Sequence, residues 1–222
     1  EQERIVEKIE ELFSDLDNAV ETLNATKAQL EVYRQAVLSN AFNAKETWKK
    51  GKLGDVIDVL TDYHANGSYE VLKEHVELLN SPGYAIMIRS TNFEQNDFTN
   101  DLKYITKDAY DFLKKSQLFG GEVLMGKIGN AGKIYFMKDL HRPVSLAMNL
   151  FALRFIDSVS SKYVYYYLNT LKATEDIKHH IKGVGTPTIN KNSVRDLKFE
   201  YPDIIEQNKI IDEIEAKLSL YD

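Results

Sequence analysis

The chain has 222 residues, 43% of them apolar, and a formal net charge of −6 at pH 7. That apolar content is enough for a core, but no run of about 18 apolar residues is present to span a membrane. The absence of cysteine excludes disulfides, thiolate catalysis and cysteine-ligated zinc, and fits a reducing cytoplasm.

Glu1 to Asn43 contains no Gly or Pro and reads as one long helix. Ile9, Leu16, Leu23, Leu30 and Val37 recur every seven positions, and Ile5, Leu12, Ala19, Thr26 and Tyr33 form a second series offset by three or four. This is a coiled-coil seam. Such a helix would extend on the order of 60 Å, more than a domain of this size needs, so its apolar stripe is expected to meet another long helix.

The periodicity stops after Asn43, which puts a domain boundary near residue 44. A basic linker leads into a short amphipathic element at Lys52 to Leu60. Turn signals follow at Asn66-Gly67 and Ser81-Pro82-Gly83. A strand is expected at Tyr84 to Arg89, then a polar loop of Ser90, Thr91, Asn92 and Gln95, then a short helix over Thr106 to Ser116 behind an Asp or Thr cap. Gly120 to Met137 places two β-type runs around Gly-Asn-Ala-Gly and predicts a hairpin. Val144 to Phe155 reads as one buried strand closed by Arg154, and Ser161 to Leu171 as a helix. Its aromatic run, Tyr163, Tyr165, Tyr166 and Tyr167, suits core and interface packing better than a base-stacking platform. A Gly-rich turn, a β-type run at Leu197 to Tyr201 and a last helix at 204–222 complete the chain.

Divided by region, the charge changes meaning. Residues 1–43 carry 4 basic against 9 acidic residues and 204–222 carry 2 against 5, whereas 44–203 carry 22 against 20. A mildly basic middle sits between acidic helices, so the overall charge does not test nucleic-acid binding.

The two ends repeat one another. EQERIVEKIEELFSDLD at Glu1 aligns without gaps onto EQNKIIDEIEAKLSLYD at Glu206, pairing Gln2 with Gln207, Ile5 with Ile210, Ile9 with Ile214, Ser14 with Ser219 and Asp17 with Asp222, a period of 205 residues. A period this long implies a repeated unit of globular domain plus long helix. The chain leaves and re-enters the same domain, so the helix beginning at Ile204 is expected to pack antiparallel on the first. It is about half as long, which is expected to leave the C-terminal part of the first helix exposed or in need of a neighbour.

The repeated Glu-Gln start, YRQAVLSNAF at Tyr33 to Phe42, GEVLMGKIGNAGKIYFM, and GVGTPTINKNSVRDLKFEYPDIIEQ at Gly183 to Gln207 resemble, in order and over most of the chain, specificity subunits of type I restriction-modification systems. The resemblance implies an α/β (α+β) fold: a mixed target-recognition domain at 44–203 with a hairpin and short helices, flanked by conserved helices at 1–43 and 204–222. The chain would be a C-terminal fragment or a half-size subunit. It would be non-catalytic and bind double-stranded DNA. It would dock modification subunits, and restriction subunits with them, in the cytoplasm, and could homodimerise through its helices. S-adenosylmethionine would sit on the modification subunit, with no cofactor in this chain. A coiled-coil scaffold whose globular domain binds protein is the rival class.

Base reading needs amide, hydroxyl and guanidinium groups on loops, with cations set against phosphates. Three loops fit. The first carries Arg89, Thr91 and Asn92; the second, at the hairpin tip, Lys127, Gly129, Asn130, Gly132 and Lys133; the third Lys182, Gly183, Gly185, Thr186, Thr188, Asn190 and Lys191. Ile5, Ile9, Leu12, Leu16, Leu23, Leu30, Val37, Ile210 and Ile214 are the expected partner-facing residues of the helices. His179-His180 has no third ligand at useful spacing, and GKIGNAG and GVGTP lack the endings of nucleotide cradles, so a metal site and a nucleotide-binding enzyme are both disfavoured.

Overall fold

A computed structural model describes residues 1–43 and 45–219. The boundary expected at 44 and positions 220–222 of the second helix, with the Asp17 to Asp222 match, lie outside the described residues.

The long helix α1 spans Gln2–Ala41. The expected amphipathic element resolves into strands β1 (Lys49–Lys52) and β2 (Ile57–Asp62) around a single turn of 3-10 helix. Next come α2 (Tyr69–His75), β3 (Ala85–Ile88), α3 (Ser90–Glu94), β4 (Lys103–Ile105), α4 (Lys107–Phe112) and β5 (Gln117–Leu118). The hairpin is β6 (Val123–Gly126) and β7 (Ile134–Phe136), antiparallel with Leu124 opposite Tyr135. Two strands, β8 (Val144–Leu146) and β9 (Leu150–Phe155), precede α5 (Ser161–Leu168), α6 (Leu171–His180), α7 (Lys191–Asp196), β10 (Lys198–Tyr201) and α8 (Ile204–Leu218).

Three expected element boundaries need correction. The polar loop after β3 is the helix α3, because the Asn92 side chain accepts the Arg89 backbone N–H at 3.0 Å and closes the turn. The helix expected to Leu171 ends at Leu168, and Thr170 caps a new one by accepting the Ala173 N–H at 3.2 Å. The single strand at Val144 to Phe155 is two strands in different sheets: residues 147–149 carry the chain across, and both halves look alike in sequence because both are buried.

One sheet has the order β2-β9-β6-β7 and a second β4-β3-β8-β5, with β3 and β8 parallel and the remaining pairs antiparallel. In β9, Leu150 and Ala152 face the second sheet while Phe151 and Leu153 face the helices. The two-residue period thus serves two cores, which makes the strand continuously apolar from Leu150 to Leu153. Ala85 and Met87 turn the far side of the second sheet toward Leu72 of α2 and Ala109 and Leu113 of α4. The layers run helices, sheet, sheet, helices, a mixed α/β architecture.

The tyrosine run packs as expected. Tyr163 and Tyr167 are buried and meet Phe42 edge-on at 5.1 and 5.6 Å, with Trp48 and Phe199 alongside. This cluster anchors the C-terminal end of α1 through Val37 and Leu38. α8 packs antiparallel there: Lys45 and Trp48, just past α1, both donate to Glu206 at the start of α8, while the Tyr33 hydroxyl reaches the Lys217 carbonyl. The uncovered part of α1 is therefore its N-terminal part, not the C-terminal part, because α8 starts where α1 ends. Ile5, Ile9, Leu12, Leu16 and Leu23 are all exposed, Leu23 to 69%, while Val37, Ile210 and Ile214 are buried.

The repeated Glu-Gln pair has a visible job in its second copy. Fully buried Gln207 accepts the Ser160 N–H at 2.9 Å and donates to the Ser158 and Pro202 carbonyls at 3.0 and 2.9 Å, fastening α8 to the domain. Gln2 is exposed. Gln207→Ala should cost about 1–3 kcal/mol in urea unfolding, because it strands buried backbone groups, while Gln2→Ala should stay within about 0.5 kcal/mol.

Candidate nucleic-acid interface

The register of the first sheet gathers the chain at one of its ends. Asp62, the last residue of β2, lies opposite Phe151, and Gly126, the last residue of β6, lies opposite Leu150. The hairpin tip leaves from that end, and Lys127 N–H donates to the Asn149 carbonyl at 2.8 Å. The third loop joins it there. Ile189 N–H donates to the Lys127 carbonyl at 3.0 Å, Gly129 N–H to the Pro187 carbonyl at 3.0 Å, and Lys182 exchanges a pair of backbone bonds with Thr188. The second and third loops are one hydrogen-bonded surface.

Asp62 holds it together. Its side chain is 6% exposed, and its carboxylate accepts from Lys127 Nζ at 2.6 Å and Lys191 Nζ at 2.8 Å. Burial alone would push this carboxyl up, but the two lysine bonds and charges outweigh it, leaving the group below its ordinary range. The lysine side chains are only 21% and 32% exposed. Lys127 and Lys191, expected to be free for phosphate, are instead committed to a structural clamp. Lys133 and Lys182 remain exposed, and Lys182 makes no ion pair among the described residues.

The first loop reaches the same surface through α3. Glu94, at the end of α3, accepts from the Asn130 amide, from the Tyr135 hydroxyl at 2.8 Å, and lies 3.8 Å from Lys133 Nζ. Burial, and then the Glu94 carboxylate, push the Tyr135 phenol above its ordinary range, so it stays a donor. Thr91, in α3, is exposed. Two members of that loop serve structure. Asn92 is 2% exposed and spends its amide on the Arg89 N–H and the Asp97 carbonyl, so it cannot reach a base edge. Arg89 donates to Asp101 at 2.7 Å (carbonyl) and 3.3 Å (carboxylate).

In the third loop Thr186 and Asn190 are exposed. Asn190 accepts the Ser193 N–H at 2.9 Å through Oδ1 as the cap of α7. The hairpin glycines differ in role. Both adopt positive φ, 78° and 81°, but Gly129 is open to solvent, whereas a Cβ at Gly132 would lie 2.4 Å from Ile177 Cγ2, so Gly132 seats the tip on α6 rather than approaching a ligand. Asp62 and Glu94 were missed in the sequence. Neither belongs to a motif, and their importance comes from partners far along the chain, 65 and 129 residues away for Asp62 and 36 and 41 for Glu94. His179 bonds the Glu175 carbonyl one turn back, and no group of three His, Cys, Asp or Glu is placed to hold a metal among the described residues.

The family model described as the type I restriction modification DNA specificity domain matches residues 45–217. Among solved structures, a chain from a study of assembly and conformational transition of a type I R-M system superposes with TM-score 0.66 at 16% identity, over 98% of this chain and 51% of that one. The HsdS subunit from Thermoanaerobacter tengcongensis gives TM-score 0.55 at 16% identity, over 99% of this chain and 51% of that one. An S subunit of a type I restriction-modification system from M. genitalium gives 0.50 at 14%, over 82% and 40%. The chain spans about half the length of the first two. No curated protein matches it.

Asp62→Asn should destabilise the chain by on the order of 2 kcal/mol, below the about 3–5 kcal/mol of a fully buried pair because the lysine ends are wet. The lowered carboxyl adds stability that is complete above its unfolded value of about 3.9 and is lost as pH falls through the folded value. Urea midpoints measured from pH 7 to pH 2 should therefore show a shallower acid limb in Asp62→Asn than in the parent.

Proposed function

The chain belongs to the type I restriction modification DNA specificity domain family, and on that premise we propose that it is a non-catalytic module that reads one half of a bipartite DNA site. One observation carries the reading: Asn130, Lys133, Lys182, Thr186 and Asn190, from segments far apart in sequence, are exposed on a single hydrogen-bonded surface at one end of the central sheet. Lys133 and Lys182 act on phosphates; the amides and Thr186 act on base edges. Asn190 reads with Nδ2, since its Oδ1 caps α7.

The helices dock modification subunits and, through the complex, restriction subunits, in the cytoplasm. S-adenosylmethionine is bound by the modification subunit, and this chain takes no cofactor. The apolar stripe on α1, uncovered in its first thirty or so residues, suits a second copy of the chain or a partner helix. The scaffold reading has that stripe in its favour. It leaves unexplained why exposed cations and amides collect on one surface.

The test assembles the chain with its modification subunit and selects from a random duplex pool at low and moderate salt. Sequence enrichment and steep salt dependence are expected; absence of both would sink the reading. Lys133→Ala and Lys182→Ala should each flatten the log–log salt slope by about 0.9 without changing preference. Asn130→Ala and Asn190→Ala should change preference, the latter with about 1 kcal/mol of lost stability from the cap. Lys127→Ala should act mainly on stability.

A further inference from the structure

Val184, at the tip of the third loop, is the most exposed large apolar residue described, at 106% of its reference area. Isolated exposed apolar side chains are ordinary on protein surfaces and need no function. This one sits on a tip built to hold it out. Lys182 and Thr188 close the loop with two backbone bonds of 2.9 and 2.8 Å, and Gly129 of the hairpin ties down Pro187 at 3.0 Å. Gly183 turns the chain at φ of 95°, where a Cβ would lie 2.5 Å from the Thr186 carbonyl oxygen, so the turn tolerates no side chain there. Gly185, on the other side of Val184, has nothing within 4 Å of its own Cβ position. An apolar group is therefore projected clear of the protein between two glycines. Lys182 at the loop base brings a cation in no ion pair among the described residues.

Resting on the DNA-reading function proposed above, we infer that Val184 is a specificity-determining residue that packs against the 5-methyl group of a thymine in the major groove. The apolar mark that a base pair shows in that groove is the thymine methyl. An isopropyl group is complementary to it, whereas the other major-groove base-edge groups are hydrogen-bond donors and acceptors. The alternative use of an apolar tip, a wedge between base steps, is made by larger side chains such as Phe, Leu, Ile and Met, which reach far enough to unstack them. Val184 is too short for that. Lys182, two residues before Val184 at the base of the loop, holds a phosphate and sets the depth of the tip.

The experiment uses the chain in complex with its modification subunit and the duplex enriched from a random pool. Each thymine in the enriched site is replaced in turn by deoxyuridine, which removes the methyl group alone, and equilibrium binding is measured for the parent and for Val184→Ala. One position should weaken about fourfold in the parent, the loss expected for one buried methyl-sized group at about 0.8 kcal/mol. Val184→Ala should bind both versions of that position alike, and its thermal stability should equal the parent's. Enrichment without any thymine position at which the two proteins differ would overturn the role of Val184 and leave DNA reading intact. Absence of any enrichment would overturn both. If Val184→Ala impairs assembly with the modification subunit and leaves the deoxyuridine response unchanged, the tip is a protein contact and the inference fails.

Discussion

From Leu150 to Leu153 strand β9 has no face in water, and the rest of the domain follows from that. Phe151 and Leu153 look one way into the helical core, Leu150 and Ala152 the other way into the space between the sheets. A strand buried on both sides commits the chain to a layer on each side, because each apolar face must be covered. The helices α5 to α8 supply one cover, and the sheet around β3 and β8 the other. A shift of register by one residue would exchange the two sets and leave both cores misfilled, so the register is firmly specified. The positions of Asp62 and Gly126 opposite Phe151 and Leu150 are consequences of it.

That register turns a core constraint into a surface. The hairpin tip leaves that sheet end, the third loop joins it through backbone bonds and α3 through Glu94, and the buried Asp62 carboxylate ties the hairpin to the third loop through Lys127 and Lys191. An ion pair of this kind adds little net stability over an apolar replacement, but its loss leaves uncompensated charge, so its effect is to hold geometry. Rigid support beneath exposed Lys133, Lys182, Asn130 and Asn190 is what a surface matching fixed phosphate and base positions requires.

The helices divide in the same way between structure and contact. The C-terminal end of α1 is locked by the aromatic cluster of Phe42, Tyr163 and Tyr167 and by α8, whereas its first part presents Ile5, Ile9, Leu12 and Leu16 to solvent. The antiparallel pairing was foreseeable from a chain that leaves and re-enters one domain. Which end of α1 stays uncovered was misjudged, since the shorter arm starts at the domain and so covers the near end.

By itself the sequence determined the long helix, the hairpin, the packing role of the tyrosine run and the residue types on the three loops. Each of these rests on local periodicity or on turn chemistry that needs no distant partner. Tertiary structure alone decided that Asn92 staples a turn, that Lys127 and Lys191 are spent on Asp62, that Glu94 joins the site, and that Val144 to Phe155 divides between two sheets. Those outcomes depend on which groups meet across tens of residues. A lysine reads the same in sequence whether its ammonium meets phosphate or a buried carboxylate, and only the fold sets the distance between them.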